Sequence, residues 1–86
     1  MSQLQQLKQQ ITDIGRSARR TAQGLAQFDR SFSQQAAQVE AVIGGSAQNK
    51  DREMVAAIED AKRKVHAAAA SLARVTRTAD QYSASL

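Results

Sequence analysis

The stretch Val39-Glu40-Ala41-Val42-Ile43-Gly44-Gly45-Ser46-Ala47 decides the fold, because two seven-residue registers meet at its paired glycines. Upstream, one register position reads Leu4, Ile11, Ala18, Leu25, Phe32, Val39, and its companion reads Leu7, Ile14, Thr21, Phe28, Gln35, Val42. Downstream, Ile58, Val65, Leu72, Ala79, Leu86 run beside Met54, Ala61, Ala68, Val75, Tyr82. Only Thr21 and Gln35 break the apolar pattern. Steps of three and four residues place such side chains on one stripe of a helix. A stripe kept up over many turns implies a long helix that buries it against another helix.

The chain contains no proline, so the glycine pair is the natural break between two rods. Helix one is expected from about residue 2 to 43, with Ser2 as its N-cap. The turn is Gly44, Gly45 and Ser46, with a glycine taking the left-handed conformation past the helix end. Helix two is expected over about 47–83, capped by Ser46, or alternatively by Asn49 or Asp51. Asp51 and Glu53 suit the positive end of its dipole. Two long rods joined so tightly must fold back antiparallel. That fold-back sets Phe28 and Phe32 beside Ala61–Ala68, and Ala18 and Thr21 beside Leu72 and Val75, large side chains against small. Gly15 and Gly24 lie inside helix one, either as weak points costing about 1 kcal/mol each or as places where another helix comes close.

The expected fold class is therefore all-α: one domain of residues 1–86, an antiparallel two-helix hairpin that completes a four-helix bundle with a partner or a second copy. Leu25, Phe28, Phe32, Val39, Ile58, Val65, Leu72 and Val75 are expected to hold the hairpin together. Two helices have no closed interior, and a scaffold this small needs further burial. Ala22, Ala36, Ile43, Val55 and Ala69 widen the stripes. Near the ends, Leu4, Leu7, Ile11, Ile14, Tyr82 and Leu86 are the apolar residues expected to reach a partner.

No catalytic, cofactor-binding or metal constellation is expected. There is no cysteine, and His66, the only histidine, has Lys62, Arg63, Ala69 and Ala70 at helical spacing, so it reads as a solvated surface residue. Glu59 and Asp60 diverge by about 100° on a helix and do not form a carboxylate pair. Gly44-Gly45-Ser46 lacks the strand, lysine and spacing of a phosphate loop. The net charge of +4 points instead to choice of partner. Arg16, Arg19, Arg20, Arg74 and Arg77 fall at one height of the hairpin and could dock an acidic face. Aromatics make up 3% of the chain, too few for a base-stacking platform, which disfavours nucleic acid. No apolar run is long enough for stable membrane insertion, and no secretory leader is expected from the glutamine-rich start.

A leaderless chain of this size, with two long helices and a mid-chain glycine turn, resembles the Trp-x-Gly family, the small type VII secretion proteins related to the early secreted antigen. Val42-Ile43-Gly44-Gly45-Ser46-Ala47 stands where that family carries its turn, with Ile43 in place of the tryptophan and Gly45 in place of the glycine. The same stretch is similar to the small helical partners of LXG toxins. The family's C-terminal Tyr-x-x-x-Asp/Glu signal is incomplete, since Tyr82 is followed four positions later by Leu86. The resemblance implies a non-enzymatic partner or targeting factor for an LXG-type effector. It would be cytoplasmic before export and secreted, if at all, without a cleaved signal peptide. The binding partner would be an LXG-type toxin domain, another small hairpin, or a second copy in a homodimer. The competing expectations are a cytosolic self-assembling coiled-coil scaffold and a weakly basic nucleic-acid-associated protein.

Overall fold

The computed structural model describes residues 2–86 as two antiparallel α-helices, α1 (Gln3–Ile43) and α2 (Lys50–Ser85). The hairpin is a rod 68 × 14 × 12 Å. Among the described residues no helix is long and apolar enough to cross a membrane.

Helix α1 starts where its chemistry dictates. The Ser2 hydroxyl accepts the Gln5 N–H at 3.1 Å, and the Gln5 side chain accepts the Ser2 N–H at 3.3 Å. This reciprocal box satisfies two donors that the first turn cannot pair internally.

The turn is longer than the three residues expected, running over 44–49, and α2 begins at Lys50 rather than near 47. Gly44 is not the left-handed residue; its φ is −55°, and it is needed because a Cβ there would collide with the Glu40 carbonyl oxygen. Gly45 takes the left-handed conformation at φ +77°, and Asn49 does so at φ 55°, which asparagine tolerates better than most residues. Asn49 occupies the N-cap position without a side-chain bond. Ser46 does the capping from further back, its hydroxyl accepting the Lys50 N–H at 3.1 Å and donating to Asp51 Oδ1 at 3.1 Å. Asp51 is buried, and its Oδ2 accepts the Gly45 N–H at 3.0 Å. That bond, opposed by burial and aided by the Arg52 N–H and the Ser46 hydroxyl, holds the carboxyl below its ordinary range.

The seam between the helices differs from the expected stripe. On α1 it alternates Ile11, Gly15, Ala18, Ala22, Leu25, Asp29, Phe32, Ala36, Val39 and Ile43. On α2 it alternates Val55, Ile58, Lys62, Val65, Ala69, Leu72, Thr76, Ala79 and Ser83. One expected register position is kept on each helix, but its companion lies four residues later, not three. Each helix is thus turned by about 50° relative to the expectation. Ala22, Ala36, Ile43, Val55 and Ala69, expected as a widening of the stripe, are the seam itself. Phe28 and Val75, expected in the hairpin core, are 50% and 41% exposed. Ile11, expected to reach a partner, is buried inside the hairpin.

Small residues explain the rotation. At Gly15 an added Cβ would stand 3.3 Å from the Ala79 Cβ, so this glycine marks a close approach of the helices. Thr76 fills the same layer, with its hydroxyl 3.3 Å from both the Gly15 and the Leu72 carbonyl oxygens. Around it lie the buried apolar residues Ile11, Ala18 and Ala79. At this layer glycine and alanine let the two backbones come close and gain contact. Bulkier side chains at the other companion position would have held them apart. A Cβ added at Gly24 would meet no atom within 4 Å, so this glycine marks no approach within the hairpin.

Candidate partner-binding face

The rotation moves large apolar side chains to one side of the rod. Leu7, Ile14, Phe28 and Val42 of α1 and Met54, Val75 and Tyr82 of α2 are all exposed, from 38% at Leu7 to 73% at Val42. In an antiparallel pair these flanks fall on the same side. Ile14 of α1 and Val75 and Tyr82 of α2 line one groove over Ile11 and Ala79, near the chain termini. Val42 of α1 and Met54 of α2 line a second, with Val39, Ile43 and Ile58, near the turn. Phe28 stands between them in the register, stacked on Phe32 with ring centroids 6.3 Å apart. Leu4, 47% exposed, extends the apolar surface beyond the tail groove, whereas Leu86 is only partly exposed.

The neighbouring register position completes this face. On α1 it reads Gln10, Ser17, Gly24, Ser31, Gln38, and on α2 Ala57, Lys64, Ser71, Thr78, Ser85. Beyond Lys50 at the start of α2, Lys64 is the one charge on the face among the described residues, and it is tied to Asp60 at 2.9 Å. That contact, with Arg63 further off, holds the Asp60 carboxyl below its ordinary range.

The charges gather on the opposite side. Asp29 Oδ1 lies 2.6 Å from His66 Nε2 and 3.9 Å from Lys62 Nζ, joining the helices at mid-rod. His66 is therefore bonded across the hairpin, not merely solvated. Arg19 lies 3.9 Å from Asp80, and Arg19 and Arg77 flank a shallow groove floored by Ala22, Ala26 and Ala73.

The five arginines share a height but not a surface. By register, Arg16, Arg19 and Arg77 lie on the charged side, while Arg20 and Arg74 occupy the two outer edges. Arg74 donates to Ser71 at 3.2 Å and rims the tail groove. The zone is thus divided around the rod, with one arginine of each edge beside the apolar face.

Sequence reasoning missed Phe28, Val42, Met54 and Val75 as members of the open face. The signal was the recurrence of glycine and alanine four residues after the shared register position: Gly15, Ala22 and Ala36 on α1, Ala69 on α2. Comparison with family models, with curated proteins and with solved structures gave no match to this chain. The geometry defines a class only: a two-helix rod with one apolar, nearly uncharged face and one charged face.

Proposed function

We propose that this chain is a non-enzymatic binding module that works by burying its apolar face against helices of another protein. The observation that carries this reading is the single-sided exposure of Ile14, Phe28, Val42, Met54, Val75 and Tyr82 on a face almost without charge. Contiguous apolar surface of this kind marks interaction sites. A second hairpin laid on it completes a four-helix bundle. The glycine turn and the two-rod layout favour a particular setting, that of a small type VII secretion protein acting as partner or targeting factor for an LXG-type effector.

Co-expression tests it. The chain should co-purify in fixed stoichiometry with the helical N-terminal domain of an LXG-type protein encoded beside it. Ile14→Asp should abolish the complex, and Ala73→Asp on the opposite side should not. Failure to co-purify with any neighbouring helical product would reject the secretion setting. An unaffected complex in Ile14→Asp would reject the face.

A further inference from the structure

We propose that the charged side of the rod is a second docking site, and that its occupant is a single helix of another protein, seated lengthwise in an alanine trough with carboxylates two heptads apart. The site lies opposite the apolar face and does not depend on what covers that face.

Its frame is four arginines. Gly15 meets Ala79 and Asp29 meets His66, so residues whose numbers add to about 94 share a height. Arg16 therefore stands level with Arg77, and Arg30 with Arg63. Arg16 and Arg30 hold one register position of α1, and Arg63 and Arg77 hold the matching position of α2. All four are exposed on the charged side. The two level pairs are two heptads apart in sequence, about 21 Å along the rod. Grouping by height alone joins Arg16 and Arg77 to Arg20 and Arg74. The structure leaves those two on the outer edges and brings in Arg30 and Arg63 instead.

Between the level pairs the surface is low and apolar. Ala22, Ala26 and Ala73 floor the groove beside Arg19 and Arg77, and Ala22, Ala26 and Ala69 line the groove that runs on to Asp29 and His66. The grooves share Ala22 and Ala26 and so form one trough. A floor of methyl groups admits another helix at the near end of the usual interaxial range, about 8–10 Å.

The carboxylates of this neighbourhood are already engaged. Asp29 is held by His66 and Lys62, and Asp80 by Arg19. Asp60 lies 3.5 Å from Arg63 but closer, at 2.9 Å, to Lys64. Among the described residues Arg16, Arg30 and Arg77 make no ion pair.

Cations at both ends and methyl groups in the middle select the inverse pattern. A helix supplies it with Asp or Glu at i and i+14 and small residues between, because two heptads are close to four turns and return to the same face. A phosphate polymer carries charge at every unit and has nothing to lay on the alanines. Nor does this side offer bases an aromatic to stack on, since Phe32 lies in the seam and Phe28 and Tyr82 on the apolar face. Neither helix of this chain carries two acidic residues at that spacing, so a second copy does not match the trough.

Fluorescence anisotropy tests the site, with the full chain and labelled alanine-based helical peptides of about six turns. One peptide carries its glutamates two heptads apart, and the other has the same composition with the glutamates one heptad apart. The first should bind at micromolar concentration and the second at least about 10-fold more weakly. Arg30→Glu and Arg77→Glu should each weaken the first peptide about 10-fold, whereas Arg20→Glu and Arg74→Glu, the same change in net charge, should stay within about 2-fold. Ala26→Leu, which fills the floor without altering charge, should weaken it with helicity unchanged by circular dichroism. Equal binding of the two peptides, or equal losses at Arg20 and Arg30, would mean undirected charge attraction and overturn the site. Tighter binding of a single-stranded oligonucleotide than of the first peptide would assign the arginines to phosphates and overturn it too. Ile14→Asp should leave peptide binding intact, and Ala73→Asp should abolish it. A chain that ignores the peptides yet holds a neighbour-encoded helical protein on its apolar face would reject this proposal alone. Peptide binding without that complex would reject only the proposed function.

Discussion

At the scale of single residues, Asp51 does the most to shape the turn. Its two carboxylate oxygens collect the Gly45 N–H and the Ser46 hydroxyl, so one side chain fixes both the left-handed glycine and the serine that caps α2. Its folded pKa is lowered, chiefly by the Gly45 N–H. A depressed carboxylate contributes stability in full above its unfolded value, near 3.9, and loses it as pH falls through the lower folded value. Hydrogen exchange at Gly45 and Lys50 should therefore accelerate below about pH 4 relative to mid-helix amides. In Asp51→Asn that acid-dependent step should vanish, and exchange at both amides should be faster at neutral pH. An unchanged pH profile in the variant would show that Asp51 does not hold the turn. The sequence marked Asp51 as suited to the helix dipole. Its role as clamp depends on where the six-residue turn brings Gly45.

Between elements, the two internal glycines of α1 separate into different roles. Gly15 faces Ala79 across the seam, whereas Gly24 has open space where a side chain would go. Gly15→Val should force the helices apart and cost about 1–3 kcal/mol. Gly24→Ala should gain up to about 1 kcal/mol through helix propensity alone. Urea unfolding at a fixed protein concentration measures both. Equal effects at the two sites would mean that the close approach is absent. From sequence, both readings of each glycine were open, because helical spacing tells which residues share a face but not which part of that face another helix touches.

The whole molecule is a rod without a central core. Its radius of gyration is 19.6 Å, where a compact chain of this length has about 12 Å. Small-angle scattering should return a value near 20 Å with a longest dimension of about 68 Å. A radius of gyration near 12 Å would mean that the helices are broken and the hairpin is wrong. No fully buried large side chain appears among the described residues. Much of the apolar surface that such a rod needs to bury therefore lies on one side of it, available to another chain.

The sequence by itself determined two long helices, their break at Gly44-Gly45, their antiparallel return and the broad side of each that is apolar. Periodicity and glycine chemistry are local, and they suffice for all four. Only the tertiary structure decided how that apolar side is divided. The stripe on each helix is wider than a two-helix contact, so either half could have met the sister helix. Glycine and alanine allowed the closer approach and took the seam, which left Ile14, Phe28, Val42, Met54, Val75 and Tyr82 facing outward.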